Sequence, residues 1–167
     1  EVSVPAWDLI GDAEDVAALL SRAESTGVPA LDAPTWDALR IEAGRPAFGR
    51  DVTEEHIPVE AGIHHRAIDY RKGCYTGQEV IVRIRDRGRV NRHLRRLVLG
   101  DGPLPESGSE LWNAAGDKVV GSVTSVARSP RRGGLALGYV RREVDPPGPV
   151  RVGSAEGPAA AVEGLDV

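Results

Sequence analysis

Apolar residues in the first ninety positions recur at helical spacing in two places. Val16, Leu19, Leu20 and Ala23 form one stripe, with Asp12 placed to cap it and Gly27 and Pro29 to end it. Trp36, Leu39 and Ala43 form a second, starting near Asp32–Thr35 with Pro34 in its first turn and stopped by Gly44 and Pro46. The opening residues Glu1-Val2-Ser3-Val4-Pro5 have the character of a strand. Periodicity fades from Arg45 to Arg71, and a stretch of that length is expected to pack as a functional connection. Thr76-Gly77-Gln78-Glu79 then has the form of a capping box, opening a helix through Val80, Ile81 and Ile84.

From about Arg92 the pattern turns to β. His93–Leu99, Val119–Ala127, Leu135–Val140, Val150–Val152 and Ala160–Val167 are short apolar or β-branched runs. Gly100–Pro105, Ser129–Gly134 and Asp145–Pro149 separate them as turns. Several short strands spaced this way predict a small barrel or sandwich. The chain is therefore expected to be α+β, with residues 1–90 as part of an α/β unit and 91–167 as a β domain.

Composition narrows the class. With 41% hydrophobic and 28% charged residues, the 167-residue chain belongs with globular proteins that bury a core. No run approaches the roughly 18 apolar residues of a membrane span. The single cysteine allows no internal disulfide and no self-contained iron–sulfur cluster, and it fits a reducing, cytoplasmic setting. There is no methionine, and with the strand-like opening this leads to the expectation of a downstream piece of a longer protein. Its first partner would then be its own upstream half. No G-x-S-x-G, Walker or G-x-G-x-x-G pattern occurs, so hydrolase, NTPase and dinucleotide-binding readings lack support.

The chemistry concentrates in Lys72-Gly73-Cys74-Tyr75-Thr76-Gly77-Gln78-Glu79. Cys74 lies just before an expected helix start and after Arg71 and Lys72, and both features favour a thiolate. Gly73 and Gly77 permit tight turns or close approach of a ligand to the backbone. A buried thiol before a capped helix fits the same residues equally well.

This segment resembles the K-G-C-Y-x-G-Q-E signature of the YgfZ family, folate-binding relatives of the glycine-cleavage T-protein. Leu39-Arg40-Ile41-Glu42-Ala43-Gly44 is similar to the L-R-[IL]-E-A-G segment of the wider family. Gly49–Glu55 and Ile57–Gly62 are similar to the segments that follow it, and Gly121–Ser129 to the V-G-x-V-T-S strand of the family's C-terminal barrel. The resemblance implies the C-terminal part of an α/β folate-binding domain followed by a small antiparallel β-barrel. It implies tetrahydrofolate as cofactor, and the YgfZ branch is associated with assembly or repair of iron–sulfur proteins, which would be the clients.

Within that resemblance, Cys74 and Lys72 are the candidate catalytic residues. Tyr75, Gln78 and Glu79 are candidates to fix the loop at the cofactor. Glu1 matches the glutamate that hydrogen-bonds the pterin, where one carboxylate can accept from two adjacent donors. Trp36 stands where the T-protein has a folate-contacting arginine, a departure that argues against aminomethyltransferase activity. Trp36 is a candidate to pack on a ring face of the cofactor, and as one apolar helix position it equally fits the core. The T-protein's catalytic aspartate belongs to the upstream half, outside this chain.

Charge adds one feature. Residues 1–82 are net −8 and 97–167 net −2, whereas 83–96 carry seven arginines against Asp86 alone. A solvated basic face is the first reading of this segment, an anionic folate tail or partner the second, and a nucleic-acid backbone the last. His64 and His65, with His56 nearby, are expected in an extended segment with side chains on opposite faces, so no metal site is expected.

Overall fold

The computed structural model describes residues 4–165, excepting the side chains of 85–87. Four helices precede six strands: α1 Ala13–Ser25, α2 Ala33–Glu42, α3 His64–Ala67 and α4 Gln78–Arg87, then β1 Arg92–Gly100, β2 Glu110–Asn113, β3 Val119–Ser129, β4 Gly133–Arg141, β5 Gly148–Val152 and β6 Ala159–Glu163. The strands close into an antiparallel barrel in the order β1-β4-β3-β2-β5-β6, with β1 also pairing β6. The barrel was legible from the sequence. The strand β2 was not, because Glu-Leu-Trp-Asn is four residues long and has no β-branched member.

β4 explains why its run reads as continuous rather than alternating. Ala136 and Val140 join Leu97, Leu111, Val120, Val123, Val150 and Val162 inside the barrel. Leu135, Leu137 and Tyr139 face the other way and meet Ala38 and Ile41 of α2, together with Leu94 and Ala127. Both faces of the strand are therefore buried, one by the barrel and one by a helix. At the crossing of β3 and β4 there is no room for a side chain. A Cβ on Gly121 would lie 1.9 Å from the Tyr139 carbonyl oxygen.

α1 and α2 follow their expected bounds closely, with different caps. Asp32 accepts from the Thr35 N–H at 2.9 Å, while the Asp12 side chain makes no capping bond. The expected apolar face of α1 is not covered: no residue of that helix is buried. α4 begins later than the capping box predicted. Gly77 is the cap, at φ 84°, and no side chain caps the helix, so Thr76 and Glu79 do not exchange bonds. A left-handed glycine sets this start.

The remaining differences are local. Val4 and Pro5, the described part of the expected opening strand, belong to no sheet, and Glu1 lies outside the described residues. The segment expected to be extended at His64-His65 is one turn of helix, which brings the two rings to 3.8 Å instead of setting them on opposite faces. Strand β6 ends at Glu163, and the last two residues of the run expected up to Val167 lie outside the described residues.

Candidate functional site

The C-terminal end of α2 is where helix and barrel are joined. Gly44, at φ 67°, ends the helix in a Schellman motif: Arg45 N–H donates to Arg40 C=O at 2.8 Å and Gly44 N–H to Ile41 C=O at 3.0 Å. Arg40, pointing under this turn, is almost wholly buried. Its Nε donates to Asp37 at 2.7 Å, one terminal nitrogen to Asp51 at 2.7 Å, and the other to Ser125 Oγ at 2.8 Å. Asp51, fully buried, also accepts from Ala47 N–H at 2.9 Å and from the Thr124 hydroxyl. Thr124 and Ser125 are adjacent, yet both reach this pair because the β3–β4 register slips between Val123 and Ser125.

Glu42 makes a second tie. Its carboxylate accepts from the Ser129 hydroxyl and from Arg131, while its backbone carbonyl accepts from Arg96 at 2.7 Å. Arg96 and Arg132 both bind Glu163 of β6, at 2.8 and 2.9 Å. Burial alone would raise the Asp37 carboxyl, but hydrogen bonds from Arg50 and Arg40 hold it below the usual carboxylate range. Every charge here has a partner, which marks a structural lock rather than a reacting centre. The Arg and Glu of the Leu39–Gly44 segment thus serve the junction. The signal for this was a charged residue, Arg40, set between Leu39 and Ile41 on a helix.

The cysteine segment is different in kind. Lys72, Gly73 and Cys74 are exposed. The Lys72 ammonium lies over the Tyr75 ring, 4.9 Å from its centre, and Gln78 N–H donates to the Tyr75 carbonyl at 3.2 Å. Glu79 pairs with Arg83 one turn along α4 at 2.7 Å, with both side chains exposed. The loop therefore brings Lys72 onto Tyr75 and leaves the Cys74 thiol open, and Glu79 belongs to the helix surface.

Trp36 stands half-exposed on α2 and lines a pocket of about 420 Å³ with Arg45, Phe48, Val52, Ile63 and Arg66. None of residues 72–79 lines that pocket. Two planar aromatic residues, two aliphatic ones and the exposed Arg66 suit a flat ring system carrying an anionic group.

A third group escaped the sequence. The His56 ring stacks on Tyr139 at 4.5 Å and 20°, with the Arg92 guanidinium 5.0 Å from the centre of the Tyr139 ring. His56 Nδ1 accepts from Thr53 N–H at 3.1 Å. Burial drives the Tyr139 hydroxyl well above its ordinary range, and its buried oxygen has no hydrogen-bond partner among the described residues. Nothing in the local sequence pattern signals this stack. Among the described residues no group of His, Cys, Asp and Glu could hold a metal ion, and no helix is long and apolar enough to cross a membrane.

Comparison with known proteins agrees with the barrel. Residues 92–163 match the family described as the glycine cleavage T-protein C-terminal barrel domain. A protein named aminomethyltransferase in Symbiobacterium thermophilum is 34% identical over 140 residues, covering 80% of this chain and 36% of the relative. One named tRNA-modifying protein YgfZ in Vibrio vulnificus is 33% identical over 135 residues, covering 72% of this chain and 39% of the relative. Among solved structures, the glycine cleavage system aminomethyltransferase T from Bartonella henselae shares the fold, with a TM-score of 0.76 at 24% identity, over 92% of this chain and 43% of that one. The chain spans about two fifths of the length of such relatives.

Proposed function

We propose, from the premise that the chain belongs to the T-protein and YgfZ superfamily as a downstream part of it, that the whole protein binds a reduced folate and maintains iron–sulfur proteins in the cytoplasm. The observation that carries this reading is the open thiol of Cys74, presented by a loop whose eight residues, Lys72 to Glu79, all fit the YgfZ signature. An exposed cysteine is available to a partner protein, whereas a buried one is not. Lys72, two residues before it, is held over Tyr75.

Tetrahydrofolate would meet this chain at the Trp36 pocket. Trp36 and Phe48 offer faces to its rings, and Arg66 an attraction for its carboxylates. Glu1, outside the described residues, is the carboxylate assigned to the pterin edge by family likeness. The reduced folate supplies one-carbon chemistry when bound. The contribution of this chain is to bind it and to keep Cys74 accessible, and its upstream half completes the pocket.

A second reading is aminomethyl transfer, favoured by the names of several relatives. Trp36 in place of an arginine argues against it. The test is calorimetric titration of the whole protein with tetrahydrofolate, repeated for Cys74→Ala and Trp36→Ala. Binding kept in Cys74→Ala and weakened roughly tenfold in Trp36→Ala is expected, the loss of one aromatic contact. No binding in the parent protein would refute the folate reading. In cells lacking the protein, the parent gene should restore an iron–sulfur enzyme and the Cys74→Ala gene should not. Release of a one-carbon folate from an aminomethyl donor would favour the second reading.

A further inference from the structure

A cleft of about 790 Å³ lies at one mouth of the barrel and takes its charge from the inward row of β1 and from turns beside it. On β1, Leu97 and Leu99 point into the barrel core, and the same row continues outward through Arg95 and His93. On β4, Val140 points inward, and Arg142 follows in the turn just after the strand ends. Arg89, in the turn entering β1, completes the rim. Arg142 is held to that turn by its N–H, which donates to Asn91 C=O at 3.0 Å.

What separates these arginines from their neighbours is that no carboxylate is in direct contact with their guanidiniums among the described residues. Arg92 pairs with Glu60, and Arg96 with Glu163, at 3.2 and 2.8 Å. Among the described residues, none of the guanidiniums of Arg89, Arg95 and Arg142 has a hydrogen bond or an ion pair. Two acids also line the cleft. Glu143 pairs with Lys118 at 2.7 Å and also faces Arg142, while Asp145 acts on Arg95, so among the described lining residues two carboxylates, one already paired, face three arginines. Arg95 is half-buried and Asp145 offsets its charge only at longer range, so that charge is costly where it stands. His93 and His64, both lining the cleft, have their basicity lowered chiefly by burial, with Arg95 adding to the effect on His93. This is a concave, positively charged mouth whose cations come from three separate elements.

We infer that this barrel mouth is a binding site for a small oligoanion carrying two or more phosphate or carboxylate groups, gripped by Arg89, Arg95 and Arg142. The site is independent of the folate reading, since it shares no lining residue with the Trp36 pocket. Guanidinium forks suit both phosphate and carboxylate, and the spread of three of them favours an anion with more than one charged group.

The experiment is calorimetric titration of the whole protein with pyrophosphate and, separately, with citrate, in the parent and in Arg95→Gln and Arg142→Gln. Micromolar binding of at least one probe, weakened roughly tenfold in each variant and falling with added salt, is expected. The stronger probe identifies the anion class. Arg142 is exposed and unpaired, so Arg142→Gln keeps its fold and a loss of binding there is a loss of contact. Affinity unchanged in both variants, or no binding of either probe below millimolar, overturns the site. So does an RNA oligonucleotide that binds at the same arginines and is not displaced by either probe.

Discussion

Arg40 and Asp51 meet at 2.7 Å in a place closed to solvent, and Arg40 is bound at the same time to Ser125, 85 residues further along the chain. A helix before the barrel and a strand within it are thereby held by one guanidinium. All its hydrogen-bonding partners are fixed groups, so the pair acts as a key between two elements.

Removing Arg40 leaves the Asp51 carboxylate buried with no cation. Arg40→Ala should cost about 3–5 kcal/mol of stability, measured by urea unfolding. Arg40→Met combined with Asp51→Leu should cost less than Arg40→Ala alone, because no charge is then stranded. A double variant less stable than the single one would contradict this account.

Gly121 tests the barrel itself. A methyl group there would overlap the Tyr139 backbone oxygen, and the backbone cannot move away without opening the β3–β4 ladder. Gly121→Ala should lower the melting temperature steeply or abolish the cooperative transition, whereas Gly102→Ala, with open space around its Cβ, should leave it nearly unchanged.

His93 and His64 set a pH dependence. Burial lowers both in the folded chain, with Arg95 adding to the effect on His93 and His65 to that on His64, so the unfolded chain binds protons first. The stability they contribute is complete above the unfolded value near 6.5 and is lost as pH falls below it. Thermal unfolding between pH 7.5 and about 5 should show this loss, and His93→Gln should flatten it. Asp37 and Glu163, both held low by arginine partners, extend the loss into the carboxylate range.

Cys74 should react in the native protein. Iodoacetamide ought to label it fully without denaturant, as read by mass spectrometry, because the side chain is exposed. Cys74→Ala should shift stability by no more than about 0.5 kcal/mol. Protection of the thiol in the native chain would mean that the loop closes over it.

Much of this architecture was visible in the residues. Asp32, Pro34 and Gly44 marked the bounds of α2 through chemistry that acts within a few positions of the chain. Short strands and the turn residues between them narrowed the second half to a barrel or sandwich, and the family resemblance pointed to the barrel. What was hidden depends on distant groups. Arg40 gave no sign of its tie to Ser125, since nothing local connects them. The capping box failed because Gly77 enters the left-handed region and takes the cap position itself. His56 and Tyr139 stack across a long separation, beyond the reach of any periodicity. The cysteine loop stood out as a motif, while its exposure had to be seen in three dimensions.

The closing of β6 onto β1 has a consequence for how the chain comes into being. Val162 faces Leu97 across that seam, and Arg96 faces Glu163, so the first strand of the barrel waits for the last. A ribosome delivers β1 well before β6, and until the end of the barrel has emerged β1 has one open edge. Arg40 waits with it, since its Ser125 partner is also made later. Birth of this protein is therefore a period of exposure that ends only when its final strand arrives, and a stop codon placed before Ala159 would make that period permanent.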